Sequence, residues 1–144
     1  MDKERFKVCI TVGLILQNEK EVLLMKRCNT GYMDEKYALV AGHVEVGESL
    51  KQAIVREAKE EIGIDINESE LHYVCGIRRG DNSEYINFYF SINKYNGTIT
   101  NMEPNKCNDL KWFDINKLPD NIIVNDKKAI YNMENNISFE EYNF

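Results

Sequence analysis

An α+β domain, with helices packed against the faces of a mixed β-sheet, is predicted by three features of this chain. Apolar residues alternate with a period of two over residues 6–16 and again over 85–92. A capped helical segment occupies residues 49–63, and a second run with helical spacing begins near Asp126. No internal repeat and no Pro/Gly/Ser linker divides the sequence. Its 144 residues read as one domain, residues 1–144, long enough to bury a core without disulfides or a structural metal.

In the first strand Phe6, Val8, Ile10, Val12, Leu14 and Leu16 fall on one face, the pattern of a half-buried strand. Residues 18–21 form the turn that follows. The continuous apolar run 22–25 suits a strand covered on both faces, and residues 37–40 give a short strand of the same sheet before Gly42. Ser49 and Gln52 make a capping box, in which hydroxyl and amide side chains each satisfy an orphan backbone N–H, and Gly63 is a left-handed stop. One helix therefore spans residues 50–62. Residues 71–77 and 85–92 read as strands, the second with Ile86, Phe88, Phe90 and Ile92 on one face, and residues 78–84 are their turn. Residues 110–113 add a short strand, while Ala129, Ile130 and Met133 give the spacing of a second helix. Residues 137–144 carry no assignable pattern.

Composition narrows the function. Hydrophobic residues make up 43% of the chain and charged residues 29%, values of an ordinary globular domain. Against 18 Lys and Arg stand 24 Asp and Glu, a net charge of −6, which argues against a nucleic-acid partner or an anionic membrane surface. Residues 1–7 are charged rather than leader-like, and no apolar run approaches the roughly 18 residues of a membrane span. Cys9, Cys28, Cys75 and Cys107 lack C-x-x-C spacing and read as buried thiols of a reducing compartment, so a cytoplasmic location is expected. His43 and His72 are too few for a zinc cage; a bound metal would sit among carboxylate oxygens, as Mg²⁺ does.

Such carboxylates occur on the central helix. At about 100° per residue, Leu50, Ala53, Ile54, Glu57, Ala58 and Glu61 share one arc, so Glu57 and Glu61 lie inside the apolar stripe, with Glu60 at its border. A Glu-rich helix end with Arg56 as counter-charge could be a solvated face. Yet two carboxylates one turn apart repel each other and resist burial, unless a divalent cation between them offsets both penalties.

The wider pattern favours the cation. From Gly42 the sequence reads Gly, five residues, Glu48, seven residues, then Arg56-Glu57-Ala58-Lys59-Glu60-Glu61-Ile62-Gly63-Ile64. This resembles the Nudix box at every fixed position, with Ala58 and Ile64 as the aliphatic ones, in a strand, loop, helix setting. A looser likeness runs from the first strand to Trp112-Phe113. The resemblance implies an α/β/α sandwich with helices on both faces of the sheet and a Mg²⁺-dependent hydrolase in which Mn²⁺ can substitute. It implies that Glu57, Glu60 and Glu61 hold metal, that Gly42 offers its carbonyl, and that Glu48 and Arg56 brace the loop against the helix that Gly63 ends. One departure precedes the box: Val40-Ala41 stands where many relatives carry Pro-Gly, which leaves the loop less rigid.

Hydrolysis of a phosphoanhydride requires neutralised phosphate oxygens, an in-line activated water and a stabilised leaving group. The base is one of the box glutamates or Glu103, in the loop 101–107, where many relatives hold a further acid; otherwise Glu103 is an exposed loop carboxylate. Lys26 and Arg27 either clamp phosphate or flank their strand in solvent. The proline that ADP-ribose hydrolases of the family tend to carry about fifteen residues beyond the box is Arg79 here, and the tyrosine that the diadenosine polyphosphate group carries slightly later falls on Gly80 to Asn82, so neither signature is met. What remains resembles the nucleoside triphosphate group, sanitisers of oxidised nucleotides included, giving monophosphate and pyrophosphate. In that reading Asn125 or Asp126 meets the purine edge, against the alternative that Asn125 caps the last helix, and Trp112 and Phe113 are core or stack on the base. The expected partner is a small-molecule nucleotide, bound by a monomer or homodimer. Hydrolysis of ADP-ribose or another nucleotide sugar, and a non-catalytic nucleotide-sensing domain, stand as alternatives.

Overall fold

The computed structural model describes residues 3–82 and 85–144. Its elements are β1 Cys9–Asn18, β2 Glu21–Arg27, β3 Tyr37–Ala38, β4 Val40–His43, α1 Leu50–Ile62, β5 His72–Arg79, β6 Tyr85–Ile92, β7 Cys107–Asp114, α2 Val124–Asn135 and β8 Phe139–Tyr142, joined in places by short 3₁₀ turns. The sheet is mixed. β1 runs parallel to β6 from Cys9↔Tyr85 to Leu16↔Ile92, β6 is antiparallel to β5, and β5 is parallel to β8. On its other edge β1 changes partner along its length: Thr11 to Leu14 pair with β4, and Gln17 and Asn18 with β2, which carries β3 and β7 beyond.

Alternation along β1 sends its side chains into two cores. Val12, Leu14 and Leu16 pack with Ala53, Ile54, Ala58 and Ile62 of α1, whereas Ile15 packs on the opposite face with Ala129 and Ile130 of α2. The sheet thus lies between two helices, and the α+β sandwich expected from the sequence is the fold observed. β1 is buried on both faces from Leu14 to Leu16, more deeply than a half-buried strand, because each face is covered by a helix.

The second difference lies at the N-terminal end: Phe6 precedes β1, whose pairing with β6 starts at Cys9, and is 68% exposed, and Ile10 is exposed although paired with Ile86. Cys28, Cys75 and Cys107 are buried but Cys9 is exposed, which corrects the expectation of four buried thiols. β5 extends through Arg79, so Arg78 and Arg79 belong to the strand rather than to the expected turn 78–84, of which Gly80–Asn82 form a 3₁₀ turn; Ser83 and Glu84 lie outside the described residues. α2 begins two residues before Asp126 with Ile123 as its N-cap, and Asn125 sits inside the first turn, accepting from the Tyr142 hydroxyl, so Asn125 is not the helix cap. Residues 139–142 form β8, a strand that sequence pattern did not disclose.

Candidate active site

α1 delivers the carboxylates. Ser49 accepts from the Gln52 amide at 3.0 Å and the Gln52 side chain accepts from the Ser49 amide at 2.9 Å, the reciprocal cap that fixes where the helix starts. Gly63, at φ 72°, takes the left-handed conformation that ends it. Between these limits the apolar stripe of α1 is held against β1 and β4, which aims Glu57 and Glu61 at the sheet and leaves Glu60 more exposed at the rim.

Arg56 ties the box together. Its Nε and Nη2 donate to the two carboxylate oxygens of Glu48 at 2.8 and 3.0 Å, Nη2 also reaches the His43 carbonyl at 3.0 Å, and Nη1 donates to Glu57 Oε1 at 2.7 Å. The guanidinium therefore joins the loop after β4 to the helix in a planar fork. The Glu48 carboxyl is pulled down to about 2, chiefly by the hydrogen bonds from Arg56. Gly42 is required by packing: a Cβ there would stand 2.0 Å from Glu57 Oε1, so any side chain displaces that carboxylate. Glu61 reaches across to β4, where its Oε2 accepts from the Ala41 amide at 3.1 Å.

Glu57, Glu60, Glu61 and Glu103 all line one cavity of about 410 Å³, a size suited to a nucleotide-like ligand. Met25, Ala38 and Leu39 contribute an apolar part of its wall. Burial pushes the carboxyl of Glu61 well above its usual range, with the charges of Glu57 and Glu103 adding to the effect. Glu57 is raised too, by burial first, against the pull of Arg56. Among the described residues no three His, Cys, Asp or Glu side chains are gathered around a single point; Glu57 is engaged by Arg56 and Glu61 by the Ala41 amide. The donor set nevertheless fits a hard divalent cation: it is all carboxylate, burial and neighbouring charge make Glu57 and Glu61 resist ionisation, and a positive charge relieves that cost.

Of the residues singled out in the sequence, Gly42, Glu48, Arg56, Glu57, Glu60 and Glu61 form one connected group, and Glu103 faces them from the loop before β7. Arg27 lies on the cavity wall; Lys26 does not, and pairs with Glu35 at 3.4 Å. Asn125 and Asp126 are not on that wall. Asp126 is 7% exposed, and its two oxygens accept from the Leu39 amide and the Tyr89 hydroxyl, both at 2.9 Å. Trp112 and Phe113 pack against the two cores, Phe113 edge-on to Tyr37. Sequence reading missed Asn29, Thr30 and Lys106, which line the cavity from two loops, and Cys107, which lines it from the start of β7. The spacing of Lys106 three residues after Glu103 was the one local sign available.

The chain matches the NUDIX domain model over residues 7–133. It is 33% identical over 114 residues to an NAD-capped RNA hydrolase, NudC, of Vibrio atlanticus, an alignment covering 78% of this chain and 39% of that protein. An ADP-ribose pyrophosphatase of Methanocaldococcus jannaschii is 32% identical over 111 residues, covering 76% of this chain and 64% of that one. An 8-oxo-dGTP diphosphatase of Escherichia coli is 38% identical over 58 residues, covering 40% and 45%. The chain thus spans less than two thirds of each of these relatives. Among solved structures, a MutT NUDIX hydrolase from Burkholderia pseudomallei superposes with a TM-score of 0.80 at 20% identity, over 88% of this chain and 98% of that one, a likeness of fold.

Proposed function

Since the chain belongs to the NUDIX domain family, we propose that it is a hydrolase that uses water and Mg²⁺ to cut a phosphoanhydride in a nucleoside diphosphate derivative. The observation that carries this reading is the set of four carboxylates on one cavity wall, with Arg56 and Gly42 built around Glu57. A binding-only domain has no need of like charges forced together at an energetic cost.

Glu57, Glu60 and Glu61, with the Gly42 carbonyl, would hold the metal. When bound, it supplies positive charge to the phosphate oxygens and lowers the pKa of water. Arg56 fixes the position of Glu57, and through Glu48 and the His43 carbonyl it fixes the loop whose backbone must approach the substrate. Glu103 lines the cavity from the loop before β7, off the helix and outside the Arg56 fork, and is the carboxylate we assign to take the water's proton. The water oxygen bonds to phosphorus, the bridging P–O bond breaks, and the leaving phosphate departs with its electron pair. Met25, Ala38 and Leu39 offer an apolar surface to the nucleoside, and Arg27 lies within the same wall.

The substrate proposed is a nucleoside triphosphate, oxidised purine nucleotides included, cut to monophosphate and pyrophosphate. The partial likeness to the 8-oxo-dGTP diphosphatase supports it, as do the missing signatures of the ADP-ribose and diadenosine groups. The likeness to an ADP-ribose pyrophosphatase over more of the chain favours a second reading, hydrolysis of a nucleotide sugar. A panel of dGTP, 8-oxo-dGTP, ATP, ADP-ribose and NADH, assayed with Mg²⁺ and with chelator, separates them. Monophosphate and pyrophosphate are expected from a triphosphate, with Mg²⁺ required. Nucleoside diphosphate and phosphate as products, or turnover confined to ADP-ribose, would move the enzyme to another group; turnover in chelator would remove the metal.

A further inference from the structure

A cavity lined by four carboxylates repels a polyphosphate, so the cations of its wall govern whether substrate enters. They are Arg27 and Lys106. Arg27 is committed to its own loop: Nε donates to the Tyr32 carbonyl at 2.8 Å, Nη2 donates to Thr30 Oγ1 at 3.1 Å, and the guanidinium lies over the Tyr32 ring. Lys106 is held far more loosely. Its ammonium meets Glu103 at 3.6 Å, and its side chain is 58% exposed.

The backbone beneath Lys106 is, by contrast, pinned from several sides. The amides of Lys106 and Cys107 both donate to the Glu103 carbonyl at 2.9 Å, and the Cys28 amide donates to the Lys106 carbonyl at 2.9 Å. Asn29 Nδ2 donates to the Asn105 carbonyl at 3.1 Å, while Asn101 accepts from the Glu103 amide and donates to the Cys107 carbonyl. An exposed, loosely paired ammonium thus stands on a well-anchored loop that lines the site, beside the carboxylate assigned to proton transfer.

We infer that Lys106 is a substrate-binding residue that exchanges partners, holding Glu103 in the free enzyme and passing to a phosphate oxygen of the bound substrate, which frees Glu103 to accept the proton of water. The exchange is favoured because a half-exposed lysine–carboxylate pair at this distance is weak, while a polyphosphate offers more charge and several acceptors. It is a trade of ion pairs in which no covalent bond changes. This inference rests on the phosphoanhydride reading and adds to it the residue that admits the anion.

Lys106→Ala and Lys106→Arg test it by two measurements. With the best substrate of the panel, KM is expected to rise about tenfold in Lys106→Ala and to return within about twofold in Lys106→Arg, while kcat stays within about threefold. Inorganic pyrophosphate titrated calorimetrically into metal-free protein is expected to bind about tenfold more weakly to Lys106→Ala than to the parent. An unchanged KM together with unchanged pyrophosphate affinity overturns the assignment. If the parent protein cleaves nothing in the panel, the phosphoanhydride reading fails by itself, and the pyrophosphate titration still decides the role of Lys106.

Discussion

A carboxylate withdrawn from water loses free energy unless a cation or hydrogen-bond donors replace its hydration. For Glu61 the replacement described is one amide, that of Ala41, while the neighbouring charges of Glu57 and Glu103 oppose ionisation. The metal-free protein should therefore tolerate, or gain from, removal of this charge. Glu61→Gln is expected to melt at or above the parent temperature in chelator, yet to lose at least about a hundredfold in turnover, because a direct ligand costs no less than the outer partners whose loss costs about 10–100-fold. Gly42→Ala is expected to lower turnover as well, with the Glu57 carboxylate displaced by the added Cβ. Calorimetry in EDTA and steady-state kinetics in Mg²⁺ check both; a Glu61→Gln protein with near-parental turnover would remove Glu61 from the metal site.

α1 and its preceding loop act as a unit because one side chain bridges them. Arg56→Lys keeps the charge but loses the fork that engages Glu48, His43 and Glu57 together. It should cost about 1–3 kcal/mol in urea denaturation and at least about tenfold in kcat; a loss of stability with kcat unchanged would show that the brace serves folding alone. This element was also the most legible in the sequence, since the Ser49/Gln52 box and Gly63 are local signals and both ends fell where they were expected. The start of α2 two residues before Asp126 was not legible because its N-cap, Ile123, has no capping side chain to mark it. β8 was hidden because a parallel edge strand owes its existence to its partner, here β5 through Gly76↔Phe139, and Phe139–Tyr142 shows little of this alone. The same holds for the site: the glutamates of one helix could be read from their spacing, whereas Asn29, Thr30 and Lys106 meet them only through the pairing of β2 with β7.

At the scale of the molecule, α2 is fastened to its face of the sheet by a buried acid, whose partners Leu39 and Tyr89 belong to the same core as Ala129 and Ile130. Asp126 of α2 accepts from Tyr89 of β6 and from the amide of Leu39, a cavity-lining residue between β3 and β4, tying helix, sheet and cavity wall together. Burial raises its carboxyl from 3.8 to about 6, in spite of the hydrogen bonds from Leu39 and Tyr89. Because the folded pKa exceeds the unfolded one, the folded protein binds the extra proton between these values. The stability linked to this group is fully present below about pH 4 and is lost as pH rises through about 6, a cost on the order of 3 kcal/mol at neutral pH. Asparagine can keep both contacts, its carbonyl accepting from Leu39 and its amide donating to the Tyr89 oxygen, without the charge. Denaturation of the parent and of Asp126→Asn from pH 4 to pH 8 should therefore give curves that diverge, the variant gaining on the order of 2–3 kcal/mol as pH rises. The other titrating groups are common to both proteins and cancel in the difference. Parallel curves would show that Asp126 is already ionised at pH 4 in the fold, and that its hydrogen bonds outweigh its burial.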